Sequence, residues 1–264
     1  MGAAIVTGYR QAIAESIDIT CVMAGDGQMD PADLETLVGA VARGDCDYAK
    51  ANRLSRNEAI HVIPPARYLG IRALSLLTKI SSGYWKIGDS QSGYTAVNLA
   101  TLQELDLDSL YPRYGFPNDM LVHLNVANRR VLDFPSRPIY GIGEESGIRM
   151  SRVIPTISWL LLSGFWWRIK EKYLVRDFHP LVIIYALGVL SLVAGLVLGA
   201  IETGFRLAGD QIFSPAIVLV VLVAVGLQLT LLAMWLDMRH ASKKPSAAVP
   251  SRATAKEQPT VSRL

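Results

Sequence analysis

Hydrophobic and polar positions divide this chain into stretches of different period. Pro180 to Ile201 is 22 residues without a charge, and Gln211 to Leu236 is a second uncharged run of 26. Each is long enough to cross about 30 Å of hydrocarbon as a helix. Two such runs in succession suit a transmembrane hairpin better than the buried core of a soluble fold. Their connection, Glu202 to Asp210, is short and holds Arg206 as its only base. Gly188, Gly195 and Gly199 are small enough to let the two helices approach closely.

The first half reads as alternating helices and short strands. Gly2–Ala14 has Ala4, Ile5, Tyr9, Ala12 and Ile13 on one helical face. Ile17–Met23 is short and β-branched, which predicts a buried strand. Pro31–Ala42 predicts a helix with proline in its first turn, Asp33 and Glu35 near its positive end, and Leu34, Leu37, Val38 and Val41 inward. Asp47–Arg53 is a second strand, and the β-α-β order implies a parallel sheet with a right-handed crossover. Pro64–Ser81 is amphipathic, with Leu69, Ala73, Leu76, Leu77 and Ile80 among Arg67, Arg72 and Lys79. Two readings stand for it: a surface helix with snorkelling bases, or an interfacial helix that reaches a lipid phosphate.

After a turn at Ser81-Ser82-Gly83, a loop from Asp89 enters a strand by Ala96. Asn98 is placed to cap a helix over Leu99–Leu105. Asn118–Asn128 reads as a helix, Arg130–Pro135 as a short strand, and Pro138–Gly147 as a glycine-rich acidic loop. Ser151–Tyr173 sets Trp159, Phe165, Trp166 and Trp167 beside Arg168, Lys170 and Lys172, the signature of a helix at headgroup level. From Ala241 the chain is rich in Ser, Ala, Pro and Lys, the composition of a disordered tail. The organisation is an α/β domain over 1–150, an amphipathic interfacial segment over 151–178, two spans over 179–238 and a basic tail over 239–264.

Charge sharpens this picture. The total of +3 divides into 14 Lys+Arg against 17 Asp+Glu in 1–150, 5 against 2 in 151–178, 1 against 3 in 179–237, and 6 against 1 in 238–264. Basic residues bracket the apolar region instead of forming one patch, which argues for a membrane surface and against nucleic acid. The basic flanks Arg168–Arg176 and Arg239–Lys244 place both ends of the hairpin, and with them the 1–150 domain and the C-terminus, in the cytoplasm. Cys21 and Cys46 form no close-spaced pair, so neither a disulfide framework nor a zinc site is expected. His61, His123, His179 and His240 are scattered and read as surface or satisfied side chains.

The stretch with most chemical content is Val22-Met23-Ala24-Gly25-Asp26-Gly27-Gln28-Met29-Asp30-Pro31. A strand ends in a glycine-flanked turn that displays one carboxylate and one amide at a helix entry, a place to hold a divalent cation against a phosphate. Further blocks follow: Tyr48-Ala49-Lys50-Ala51-Asn52-Arg53, Asp89-Ser90-Gln91-Ser92-Gly93-Tyr94-Thr95-Ala96, Tyr114 to Leu121, and Gly143-Glu144-Glu145-Ser146-Gly147. In this order the set resembles glycosyltransferase family 2, in the polyprenyl-phosphate branch that includes dolichyl-phosphate mannose synthases. The resemblance runs from about Gly2 to the end of the second apolar run.

The resemblance implies an α/β fold, a partial nucleotide-diphospho-sugar transferase (GT-A-like) sheet domain with a two-helix transmembrane hairpin behind it. It implies inverting transfer of a hexose from a GDP- or UDP-sugar to polyprenyl (undecaprenyl or dolichyl) phosphate, with Mg2+ or Mn2+ as cofactor. Asp26 and Gln28 match the metal and diphosphate contacts, although Ala24 stands where the pattern often has a further Asp. Arg53 matches the arginine of a Gly-x-Arg motif and is the first choice for the acceptor phosphate, with Arg72 and Ser75 behind it. Asp89 is expected near the transferred sugar, and Asp119 follows Asn118 at the place of an acidic pair. Glu145-Ser146 matches a Gly-Glu-Ser loop, with Gly147, Ile148 and Arg149 where mannose synthases carry a lysine. Asp30 reads as a support behind the metal contacts or, more in keeping with its place, as a helix cap.

The resemblance also implies a nucleotide-binding half ahead of Gly2, with a Pro-x-Tyr-Asn-Glu type motif and an Asp-Asp-x-Ser type motif. The expectation is that the true start lies upstream and that a Val codon was read as Met1. A phosphate acceptor is already ionised at neutral pH, so no strong general base is required. The rival reading is a catalytically inactive truncated membrane scaffold, and a third is transfer to another lipid such as a glycerolipid. The expected partners are a nucleotide sugar, a polyprenyl phosphate and the bilayer, with homo-oligomer formation left open.

Overall fold

The computed structural model describes residues 1–55, 59–139, 150–176, 179–207 and 216–241. Its centre is a four-stranded sheet in the order β1 (Ile19–Val22), β3 (Thr95–Asn98), β2 (Tyr48–Asn52), β4 (Val131–Pro135). β3 runs antiparallel to both β1 and β2, while β4 runs parallel to β2. The two strands expected as a parallel β-α-β neighbour pair therefore do share a direction, but β3 lies between them and the sheet is mixed. β1 sits at an edge, which is why all four of its residues are half-buried where a buried strand was expected.

The alternation in β2 assigns its two faces. Ala49 and Ala51 pack with Leu37, Ala40 and Val41 of α2 (Asp33–Ala42), where small side chains let the helix lie close. Tyr48, Lys50 and Asn52 take the opposite face, and only Tyr48 of these joins the second core, with Tyr9 of α1 (Gly2–Ala14) and Met120, Leu121 and Leu124 of α6 (Phe116–Val126). The β2 strand thus carries two polar side chains into the interior.

Local signals set most helix ends. Asn98 accepts the Thr101 N–H at 2.8 Å and caps α5 (Leu99–Glu104), as expected. A short helix, α3 (Ala59–Val62), precedes α4 (Pro65–Ser82), which begins on Pro64-Pro65 and ends at Gly83 in the left-handed conformation. A Cβ on Gly83 would lie 2.8 Å from the Arg168 guanidinium, so both its φ of 76° and its surroundings require glycine.

The basic residues after 150 behave differently from the expectation. α7 (Met150–Lys170) continues into a π-helical turn, Glu171–Arg176. Arg168 and Lys172, expected at headgroup level, are buried. Arg168 donates Nε to the Ser81 carbonyl at 2.7 Å and grips Asp237 with both terminal nitrogens, at 3.0 and 2.8 Å. Lys172 donates to Asn125 Oδ1 at 2.6 Å, and Arg176 to the Val126 carbonyl at 3.2 Å. Positions i, i+4 and i+8 of one helical face therefore meet the C-terminal ends of α4 and α6, where carbonyls lack intrahelical donors and the dipole favours cations. The tryptophans do face outward: Trp159 is 70% exposed.

α8 (Leu181–Leu207) and α9 (Ala216–Ala241) form a hairpin. Both are long and apolar enough to cross a membrane, and their most apolar windows are only 22% and 11% buried. Gly188 and Gly195 do sit at the contact, where added Cβ atoms would come within 2.9 Å of the Thr230 nitrogen and 3.1 Å of the Val223 nitrogen. Gly226 joins them, 2.5 Å from the Leu192 nitrogen, whereas Gly199 has open space around it. The loop expected over 138–147 falls mostly outside the described residues, and the basic tail from 242 does so entirely.

Breaking the Arg168–Asp237 pair from one side leaves an uncompensated buried charge, so Asp237→Leu should lose about 3–5 kcal/mol of stability. The double variant Arg168→Met/Asp237→Leu should recover most of that loss, as read by thermal unfolding in detergent micelles. A double variant no more stable than Asp237→Leu would show that the pairing is not what the fold depends on here.

Candidate active site

The sheet directions bring one set of loops together. β1, β2 and β4 run the same way and β3 runs against them, so the C-terminal ends of the first three and the entry to β3 share one sheet edge. Val22 and Lys50 both pair with Thr95 there. The Asp26 turn, Arg53 and the Asp89 loop all leave from this edge, the side of an α/β sheet where ligands commonly bind.

The turn after β1 is built by its own side chains. Asp26 Oδ1 accepts the Gln28 N–H at 3.1 Å around Gly27, whose φ is 73°. Asp26 is exposed and Gln28 half-buried. Asp30 caps the following turn through the Ala32 N–H at 3.0 Å, and its carbonyl receives the Tyr94 hydroxyl at 3.1 Å. Tyr94 thereby fastens the Asp26 turn to the strand entry beside Asp89.

Asp89 is fully buried and meets Arg53 in a fork, with Nε at 2.7 Å and Nη2 at 3.2 Å, while the Gln91 N–H adds a third donor at 3.0 Å. Burial by itself would raise the Asp89 carboxyl, but the Arg53 charge and hydrogen bonds, with Lys50 behind them, hold it below the usual carboxylate range. Arg53 and Asp89, read from sequence as separate acceptor and sugar contacts, form one ion pair.

Beside them lie two further ionisable groups, Lys50 and Asp133, that the sequence reading did not single out. Lys50 is completely buried and donates Nζ to the Ser92 carbonyl. Burial depresses its amine to about 8, against the opposing pull of Asp89 and Asp133. Asp133, its register partner on β4, accepts Asn52 Nδ2 at 2.9 Å and the Gly88 N–H. A Cβ on Gly88 would lie 2.4 Å from Asn52 Nδ2, so a side chain there would push the Asn52 amide from its place on Asp133. Burial pushes the Asp133 carboxyl up, and its Oδ1 is buried with no hydrogen bond among the described residues. The signal for this pair was present in the sequence, since Lys50 and Asn52 fall on one face of a strand whose other face is alanine.

The remaining expected residues separate. Ser75 is buried beneath the loop and accepts the Ser90 N–H at 3.1 Å, whereas Arg72 lies on the exposed side of α4 against the Tyr68 hydroxyl. Asn118 faces the site: its Oδ1 receives Gln91 Nε2 at 2.6 Å and the Thr78 hydroxyl at 2.8 Å. Asp119, one residue on, is rotated away and accepts the Tyr111 N–H at 2.8 Å, with His123 at 3.7 Å. Both line a separate groove of about 520 Å3 with Trp167, so Asp119 does not meet Asp89. Burial raises the Asp119 carboxyl and lowers the His123 imidazole. Glu145 and Ser146 lie outside the described residues.

The donors available to a cation are few. Asp26 offers one carboxylate with an oxygen already engaged by the Gln28 N–H, Gln28 offers an amide, and Ala24 offers nothing. Among the described residues no three His, Cys, Asp or Glu side chains gather as a metal cage. These are hard oxygen donors nonetheless, and they suit an ion that takes most of its shell from water and substrate phosphates.

No family model matches the chain. It is 25% identical over 140 residues to the UDP-N-acetylglucosamine–dolichyl-phosphate N-acetylglucosaminyltransferase of Methanococcus voltae, a match covering 53% of this chain and 55% of that protein. It is 28% identical over 136 residues to the undecaprenyl-phosphate mannosyltransferase of Micrococcus luteus, covering 51% and 55%. An uncharacterised protein of Methanocaldococcus jannaschii matches at 25% over 140 residues, covering 53% and 57%. These matches span about half the length of the curated relatives. The chain is thus weakly similar to polyprenyl-phosphate sugar transferases.

The Lys50 environment has a measurable consequence. Between pH about 8 and 10.5 the unfolded chain keeps the Lys50 proton and the folded chain has lost it. The unfolded state binds more protons in that window, so this group makes stability rise with pH there. The stability of the native chain minus that of Lys50→Met should therefore become more positive from about pH 7.5 to about pH 9.5, measured by denaturant unfolding. A pH-independent difference would mean that Lys50 is charged in the fold throughout.

Proposed function

We propose that the chain works as a membrane-anchored glycosyltransferase, moving a hexose with inversion from a GDP- or UDP-sugar to a polyprenyl phosphate at the cytoplasmic leaflet. What supports this reading above all is the convergence of Asp26, Arg53 and Asp89 at one sheet edge, in a domain clamped by Arg168 to an apolar hairpin. The similarity to transferases named for dolichyl and undecaprenyl phosphate supports the acceptor class.

In this reading Asp26 and Gln28 hold the donor diphosphate together with Mg2+ or Mn2+, which would neutralise the departing diphosphate. Arg53 offers its guanidinium to the acceptor phosphate while Asp89 fixes its orientation, and Arg72 receives the phosphate from the membrane side. Ser75, Gln91 and Asn118 hold the Asp89 loop in register. The acceptor oxygen is ionised at neutral pH, so alignment matters more than proton abstraction. The exposed Leu69, Leu76 and Leu77 of α4 lie along one amphipathic helix packed on α7, whose Trp159 and Trp166 are also exposed. Together they suit the acyl and headgroup boundary, where a prenyl tail can remain in lipid.

Washed membranes carrying the chain, supplied with labelled nucleotide hexoses and polyprenyl phosphate, should form a lipid-linked sugar. Chelation should abolish this activity and Mg2+ or Mn2+ should restore it. Asp26→Asn should lower kcat/KM by about 100-fold or more, the usual cost of one electrostatic contact to developing charge. Arg72→Gln should act mainly on the KM for the prenyl phosphate. Absence of any lipid-linked product with GDP- and UDP-hexoses would favour a non-catalytic scaffold.

A further inference from the structure

The outward face of α9 carries a polar group with nothing to bond. Gln228 is the middle residue of the apolar helix Ile217–Arg239, with eleven residues on either side. It is exposed, and its amide makes no hydrogen bond among the described residues. Other polar side chains of the hairpin are provided for: Ser191 donates to the Leu222 carbonyl at 2.9 Å, Thr203 to Gly199 at 2.8 Å and Thr230 to Gly226 at 2.8 Å. At 100° per residue, Gln228 points opposite the face formed by Gly226, Ala233 and Asp237, which is buried against the rest of the chain. In hydrocarbon an unpaired amide is costly, and no water is present to satisfy it.

The residues that share this face are Ile217, Val221, Ala224, Gln228, Leu231 and Trp235. Their spacing alternates between four and three, the heptad pattern of a helix that packs along a left-handed seam. All six are exposed, Ile217 at 72% and Leu231 at 54%. An amide carries both donors and an acceptor, so it is complementary to a second copy of itself across a two-fold axis.

We propose that α9 pairs with α9 of a second copy of this chain along that seam, with the two Gln228 amides hydrogen-bonded to each other at mid-membrane. The proposal rests on the hairpin spanning a bilayer, which is tested separately by alkaline carbonate washing: release of the protein would remove that premise and overturn the pairing with it.

For protein that resists washing, the full chain is reconstituted in lipid vesicles at graded protein-to-lipid ratios, and dimer formation is followed by energy transfer between labelled copies. A dimer is expected, weakened on the order of tenfold by Gln228→Leu and largely kept by Gln228→Asn. Ala224→Cys should crosslink across the seam under oxidation, and Val218→Cys, turned off the seam, should not. A carbonate-resistant chain that stays monomeric would overturn the pairing while leaving the membrane reading intact. Equal dimerisation of the native chain and Gln228→Leu, or preferential crosslinking at Val218→Cys, would overturn this seam.

Discussion

Arg168 is the contact through which the two halves of this molecule constrain each other. Its guanidinium is fully buried and spends its donors on two kinds of acceptor: the Ser81 and Ile80 carbonyls at the end of α4, and both oxygens of Asp237 near the end of α9. The Tyr173 hydroxyl completes the Asp237 shell. A guanidinium suits this place because its planar fork meets a carboxylate in two parallel bonds and still reaches sideways to carbonyls, which an ammonium cannot do with the same geometry. Gly83 is the complement: a side chain there would occupy the space the guanidinium needs.

The consequence reaches the sheet edge. α4, held at its C-terminal end by Arg168, carries Ser75 and Thr78 on its inner face. Ser75 holds Ser90, and Thr78 shares Asn118 with Gln91. Gln91 and Ser90 flank Asp89, and Asp89 orients Arg53. A run of short, directional bonds thus links the apolar hairpin to the charged cluster. Within that cluster Lys50 and Arg53 face Asp89 and Asp133, four ionisable groups largely removed from water. Buried ion pairs at best offset their own desolvation, so this arrangement is poor evidence for stability and better evidence for a site that needs fixed charge.

How much of this was legible follows from the range of each signal. The Asn98 cap, the glycine stop at Gly83 and the two apolar runs are local, and each appears where the sequence places it. The position of β3 between β1 and β2 is not local, because nothing in Thr95–Asn98 names the strands that flank it. Helical phase accounts for Asp119: adjacent residues on α6 differ by about 100°, so one of the Asn118–Asp119 pair must turn from the loop, and it is the acid that does. Arg168, Lys172 and Arg176 illustrate composition without direction. Bases among tryptophans fit a headgroup helix and a helix that caps its neighbours equally well, and the four-residue spacing gives only a shared face, not what that face meets.

α4 shows how one element can serve both environments. A helix with its side chains is about 10–12 Å across, so the exposed Leu76 and Leu77 and the buried Ser75 and Thr78 are separated by one helix diameter. Arg72 lies on the outer side of α4, and on the inner side Ser75 holds the loop whose Asp89 grips Arg53. In the proposed reaction a lipid-borne phosphate would pass around this helix from one guanidinium to the other. If α4 were free to shift along its axis, Ser75 and Ser90 would part and the Asp89 loop would lose that anchor. The Arg168 clamp opposes that shift, so a contact at the far end of α4 bears on the geometry of the charged cluster.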